Sequence, residues 1–504
     1  MGNLTPELLQ ERDKIKAVAE TYGLDFYETV FELVDAEELN EVASYGGFPR
    51  RYPHWRFGME YDQLAKSYEY GLSKIYELVI NNDPCYAYLM RNNPVVDQKL
   101  VMAHVYGHCD FFKNNLWFAQ TNRKMIDQMA NHGTQVRRFV EAVGQDAVED
   151  FLDIATSLDN LIDVHSVYRK AAPRAKEEHG SASRRESIDV PRLRAKDYMD
   201  RYINPPEYLE RERKRMEAEQ SQAKRFPPKP VKDVLAFLIE HAPLEPWERE
   251  ILSLIREEAY YFAPQGMTKI MNEGWASFWH SRIMTRHALT DAEIIDFADH
   301  HSGTVHATPG RINPYKLGIE LFRDIEMRWN KGRYGREWER CDDAEKRVAW
   351  DLELGEGMKK IFEVRKIYND ITFLEEFLTP EFAEEQKLFV YGMNQRTGRV
   401  EILDRDPTRV KKELLKALTN FGQPYITVAD ANHANRGELL LEHRWDGVEI
   451  QVQQAQATLR NVQRLWRRPV HLHTFVEGKG RVLSFDGRSD SSKETDERVE
   501  VEEG

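Results

Sequence analysis

The sequence predicts an α+β protein that is mainly α-helical and ends in a smaller α+β domain. Three observations carry this. Apolar residues recur every three or four positions through residues 1–168 and again from Val234 to about Leu378, the repeat of helices buried along one face. Residues 169–232, between them, are charged and broken by Pro191, Pro205, Pro206, Pro227 and Pro228. After Thr379-Pro380 the texture changes to short runs rich in β-branched and aromatic residues.

In the helical domain 1–168, Tyr68, Leu72, Ile75, Tyr76 and Val79 give the helical spacing, and strand signals are sparse. The insertion 169–232 holds 18 Lys and Arg against 11 Asp and Glu, with one exposed helix expected over Glu207 to Phe226. It is either a solvated connector or a dock for an acidic partner or nucleic acid. A second helical domain, 233–378, follows. In the α+β domain 379–486, strands are expected around Leu388–Tyr391, Val400–Leu403, Tyr425–Val428, Leu439–Leu441 and Val470–Phe475, with helices near Asp406–Asn420 and Val448–Trp466. Residues 487–504 are polar and acidic and read as a disordered tail.

At 504 residues and 41% hydrophobic content the chain exceeds what one core supports, so two or more domains are expected. Ten Trp, 22 Tyr and 23 Phe exclude a mainly disordered protein. The aromatics between Tyr61 and Tyr88 read as core rather than as a base-stacking platform. Cys85, Cys109 and Cys341 form no zinc ribbon, redox pair or disulfide framework, which fits a reducing cytosol. No signal peptide is evident at the start, and no stretch approaches the ~18 apolar residues of a membrane span, so a cytoplasmic protein is expected. The net charge of −14 repels nucleic acid and anionic lipid on average, leaving only a local patch to bind either. Dinucleotide, P-loop and nucleophile-elbow motifs are absent, and Ser221-Gln-Ala-Lys224 reads as a chance Ser-x-x-Lys.

Two short helical signatures carry the chemistry. His104-Val-Tyr-Gly-His108 sets two imidazoles one turn apart on one helix face, the spacing of two ligands to a zinc-type metal. Isolated, such a pair is equally two core histidines held by hydrogen bonds. The second signature is Asn272-Glu273-Gly274-Trp275-Ala276, with His280 two turns beyond Glu273 and nearly on its face. Glu273 offers a third ligand, and Gly274 offers close packing against the histidine helix.

This second phrase resembles the Asn-Glu-Gly-aromatic-Ala element that follows the His-Glu-x-x-His helix of glutamate-zincin aminopeptidases, where its glutamate is the third zinc ligand. The resemblance implies a zincin-like N-terminal core in which His104, His108 and Glu273 hold Zn²⁺ or another divalent metal, with His280 as a further ligand or a neighbour of one. Two departures stand out: Glu273 follows His108 by 165 residues, and Val105 occupies the position of the general base. Valine takes no proton from water. Asp110 sits about 200° around the helix from His108 and faces elsewhere, while Cys109 points about 100° away and makes no Cys-His pair. Glu257 and Glu258 are candidate catalytic carboxylates or halves of structural ion pairs. In Asp299-His300-His301-Ser302-Gly303-Thr304-Val305-His306, expected as a loop, His301 is the candidate catalytic imidazole. His54 is a further loop histidine.

Taken together, Tyr52-Pro-His-Trp-Arg-Phe57, Ala103-His-Val-Tyr-Gly-His-Cys-Asp-Phe-Phe-Lys-Asn-Asn115, Arg256-Glu-Glu-Ala-Tyr-Tyr-Phe-Ala-Pro-Gln265, Lys269-Ile-Met-Asn-Glu-Gly-Trp-Ala-Ser-Phe-Trp-His280, Asn313-Pro-Tyr-Lys-Leu-Gly318 and Gly332-Arg-Tyr-Gly335 resemble the stage V sporulation protein R family, SpoVR. The resemblance implies a link to spore cortex, that is peptidoglycan, formation, or more broadly to cell-envelope and stress physiology. It implies as partners an AAA-type serine protein kinase and a von Willebrand A-like protein. It brings no reaction with it. Two functions are expected of the chain: from the metal-site residues, a metal-dependent hydrolase of peptide or amide bonds with a base other than residue 105, or a non-catalytic regulator on the same scaffold.

Overall fold

Leu100 to Phe112 is too apolar all round for a surface helix, and in the computed structural model the helix Val95–Asn114 is buried at every position from Val101 to Phe112. The structure describes residues 2–69, 78–169, 205, 207–208, 210–211, 214–215, 225–306, 308, 310–394 and 397–499. They fall into two compact units, one of Met1–Glu149 with Tyr260–Gln423 and one of Asp150–Ala259 with Pro424–Gly504. The grouping differs from divisions at 168, 232 and 378. Neither helical segment buries its own apolar faces, so the first unit draws on both and runs past Thr379-Pro380 to Gln423.

The first unit is helical around a small sheet. Strands β1 (Thr29–Val34), β2 (Leu78–Ile80) and β3 (Cys85–Met90) lie in the order β1-β3-β2, with β3 parallel to β1 and antiparallel to β2. Val79, expected in a helical repeat, therefore lies in a strand, while Leu72, Ile75 and Tyr76 lie outside the described residues. The central strand hid because Cys85, Ala87, Tyr88, Leu89 and Met90 are all buried, which erases the alternation that marks a half-exposed strand. Its end is tied to the histidine helix by Gln98 Nε2, which donates to Met90 O at 2.6 Å.

Helices Val95–Asn114, Lys269–Ile283 and Pro314–Lys331 meet backbone to backbone. A Cβ on Gly107 would stand 2.7 Å from Ala276 Cα, and one on Gly274 would stand 2.4 Å from Gly318 Cα. Gly274 thus serves the Pro314–Lys331 helix rather than the histidine helix, whose own Gly107 makes the close approach. Asp370 starts the Lys269–Ile283 helix by accepting from Ile270 N and Met271 N, both at 2.9 Å. Burial pushes its carboxyl up to about 7, with those two amides pulling the other way.

The second unit contains a five-stranded sheet. Its strands, β6 (Ile426–His433), β7 (Glu438–His443), β8 (Val470–Val476), β9 (Lys479–Phe485) and β10 (Asp490–Arg498), follow a hairpin of β4 (Val390–Met393) and β5 (Val400–Asp404) that belongs to the first unit. The order is β10-β9-β8-β7-β6. The parallel pair β7–β8 is joined through the helix Val452–Trp466, as a parallel connection requires. The tail expected to be disordered is corrected by β10, which pairs antiparallel with β9. Its side chains are almost all exposed, so its composition reads as a tail while its backbone completes a sheet. Residues 500–504 lie outside the described residues, as do most of the insertion 169–232, most of the helix expected at Glu207–Phe226, and Ser221 to Lys224. The end of the insertion is no solvated connector: Val231 exchanges backbone bonds with Val428 at 3.0 and 2.7 Å.

Candidate metal centre

The helical repeat places the rings of His104 and His108 side by side, with centroids 4.5 Å apart. Their Nε2 atoms face one oxygen of Glu273: His108 Nε2 lies 3.4 Å and His104 Nε2 3.6 Å from Glu273 Oε2. The ligand atoms of the three residues all fall within 4.8 Å of one another. Bonds of about 2.0–2.1 Å to a tetrahedral ion put neighbouring ligand atoms about 3.3–3.4 Å apart. The two contacts to Glu273 fit that edge to within a few tenths of an ångström. Both imidazoles are buried and Glu273 nearly so, at 18% side-chain exposure, which leaves a site that limited solvent reaches.

The remaining nitrogen of each ring points at a partner of its own. His108 Nδ1 is 2.9 Å from Asn272 Oδ1, an atom that only accepts, so Nδ1 carries the proton and Nε2 presents its lone pair to the site. His104 Nδ1 is 2.7 Å from His280 Nδ1, and His280 Nε2 is 3.2 Å from His301 Nδ1. With the Nε2 lone pair of His104 turned to Glu273, a consistent set of tautomers runs outward, each ring donating to the next. His301 stacks on Phe297 at 5.6 Å and is held below its ordinary imidazole range, first by burial and then by Arg323. Of the four residues expected as ligands, His104, His108 and Glu273 face one point. His280 stands behind His104 instead.

Val105 is fully buried in apolar core, so position 105 holds no base. Asp110 does not replace it. Its Oδ1 pairs with Arg365 Nη1 at 3.0 Å and accepts from Asp25 N at 2.8 Å, while its Oδ2 accepts from Trp275 Nε1 at 2.8 Å. Breaking such a buried pair costs about 3–5 kcal/mol, which marks Asp110 as structural. Glu257 and Glu258 lie on the helix Pro246–Met267 in the part that belongs to the second unit, and Glu258 is buried there. They are not in the three-residue group. His300 and His301, expected in a loop, sit on the helix Ile294–Thr304, where His300 Nδ1 contacts Asp97 Oδ1. His306 is exposed. His54 is buried and accepts from Arg56 N through Nδ1. Sequence reasoning gave no role to Asn272, although it adjoins Glu273, or to Tyr315, whose ring centroid is 6.1 Å from that of His104. Nothing in the local sequence around Tyr315 ties it to His104; only the fold does.

Two known sequence-family models match the chain in succession. The model described as SpoVR like protein matches residues 3–423, and the one described as SpoVR-like C-terminal domain matches residues 424–477. The chain belongs to the SpoVR family. Uncharacterized protein YcgB of Escherichia coli (strain K12) is 31% identical over 406 residues, 77% of this chain and 75% of that protein. No solved structure matches. The join between the two SpoVR matches is also where the second compact unit resumes, at Pro424. Among the described residues, no helix is long and apolar enough to cross a membrane.

Proposed function

We propose that this SpoVR-family chain is a metalloprotein with a zincin-like core, in which His104 Nε2, His108 Nε2 and Glu273 Oε2 hold Zn²⁺ or a similar divalent ion. The carrying observation is the approach of both Nε2 atoms to Glu273 Oε2, each close to a tetrahedral edge, while Asn272 and His280 contact the ligand rings from behind. A bound ion supplies a Lewis acid, which suits hydrolysis of a peptide or amide bond. On this reading His280 and His301 fix the tautomer of His104 from behind, and the base that replaces a glutamate at position 105 is another group. The spore-cortex and cell-envelope setting implied by the family name supplies substrates rich in amide bonds.

Metal analysis of the purified full chain tests this. About one equivalent of a divalent metal is expected, falling below about 0.2 in His108→Ala and Glu273→Ala with the circular dichroism spectrum retained. Metal-free wild type, purified without chelator and unable to take up Zn²⁺ or Co²⁺, ends the proposal. A second reading, a non-catalytic regulator that works with a serine protein kinase, draws on the buried Val105. It is favoured if metal-free variants still complement loss of the gene.

A further inference from the structure

The helical unit carries an open pocket of about 550 Å³, within the size range of small-molecule sites. It forms where three segments far apart in sequence come together. The start of the Pro314–Lys331 helix contributes Leu317, the run into β4 contributes Phe389, and the helix Pro407–Leu418 contributes Val410 and Leu414. Gly310, at φ +77°, lets the preceding loop lie on the hairpin, where a Cβ would stand 3.1 Å from Val400 Cγ1. The floor formed by Leu317, Phe389, Val410 and Leu414 is apolar, and polar side chains line the rest.

Arg311, Lys316 and Lys387 line the same cavity, with Glu413 as its one acidic residue. Among the described residues none of these three cations has a side-chain hydrogen bond or ion pair. Several other cations of the same helices are satisfied, Lys416 being an exception: Arg323 pairs with Glu320, Arg328 with Asp324 and Arg409 with Asp404, while Lys411 donates to backbone carbonyls. In a chain with 85 acidic and 71 basic residues, acidic partners are plentiful, so three cations left on one cavity create a local field opposite to the chain's average. An apolar chamber with several cations matches one kind of occupant.

We propose that this cavity binds a small amphiphilic anion, an apolar body held against Leu317, Phe389, Val410 and Leu414 and a carboxylate or phosphate head answered by Arg311, Lys316 and Lys387. The proposal is independent of the metal. Its test is calorimetric titration of the full chain with decanoate and with decyl phosphate, each below its micelle concentration, beside decanol and decyltrimethylammonium. Saturable one-site binding of at least one anion is expected, the better head group telling carboxylate from phosphate, with the neutral and cationic probes weaker by at least about tenfold. The triple variant Arg311→Gln, Lys316→Gln, Lys387→Gln should bind the anion at least about tenfold more weakly and keep its circular dichroism spectrum, since those side chains hold no other element in place. Leu414→Trp, which fills the chamber, should weaken all binding. Decanol bound as tightly as the anions, a triple variant that binds like wild type, or no saturable binding by any probe would each overturn the proposal.

Discussion

In the helical unit, His104 and His108 each turn one ring nitrogen to a neighbour behind them and the other toward Glu273. In the sheet unit, His471 commits both nitrogens elsewhere: Nδ1 lies 2.7 Å from Ser484 Oγ and Nε2 lies 2.9 Å from Glu438 Oε2. Glu438 is gripped again by Arg436 at 2.6 and 2.8 Å. Both clusters are imidazoles with a glutamate on buried elements. The difference is where the lone pairs converge: a shared point in the first, a closed cross-strand ladder in the second. Counting histidines does not separate a ligand set from a structural one, whereas following each ring nitrogen to its partner does.

The sharpest break of this comparison is removal of the glutamates. Glu273→Ala should weaken Zn²⁺ binding by more than the ~10–100-fold typical of an outer partner, and Glu438→Ala should leave it unchanged, as read by competition with a chromophoric chelator. Equal losses in the two variants would erase the distinction. Next in size is Gly107→Ala, whose new Cβ meets the Ala276 backbone; overpacking should cost about 1–3 kcal/mol in denaturant unfolding and loosen metal binding with it. Gly58→Ala, in the open helix Trp55–Glu69, should instead stabilise by about 0.5–1 kcal/mol.

Smaller effects grade the rings behind the ligands. His280→Ala and Asn272→Ala are each expected to weaken metal binding by about 10–100-fold, and His301→Ala, one ring further out, by only a few-fold. A larger loss at His301 than at His280 would break the order of the supporting rings. The smallest effect belongs to the sheet. Arg436, and after it His471, hold the Glu438 carboxyl down to about 2 from an ordinary value of 4.5. A depressed acid adds stability that is fully present above pH 4.5 and is lost as pH falls through about 2. Glu438→Gln should therefore flatten the acid limb of unfolding of the sheet between those values, while superimposable curves for the two proteins would show the ladder to be inert.

The helical character, the C-terminal strands from Val390 to Val476 and the shared face of His104 and His108 were legible because each rests on local pattern: a 3.6-residue repeat, β-branched runs, an i, i+4 pair; Glu273 was singled out by the resemblance of its phrase, and the fold brings it to that face. What escaped depends on contacts between distant segments. Strand β3 was masked by burial on both faces, and β10 by an exposed, polar sequence whose order comes from its backbone ladder. Gly274 was read toward the wrong helix because sequence shows that a glycine is needed without showing which neighbour needs it. His280 has the right spacing from Glu273 to be a ligand, but only the fold shows that His104 stands between it and the shared point.

The paired contacts of Gly107 with Ala276 and of Gly274 with Gly318 have a consequence for how the site can change over generations. The gauge between the histidine helix and the glutamate helix is bare main chain at Gly107 and a single methyl group at Ala276. Closer approach has at most that one methyl group to give up, and wider spacing comes in steps of a whole methyl group. If the proposed metal is bound, adaptation of this centre would act mainly through the residues around His104, His108 and Glu273, while the spacing of the three helices changes little.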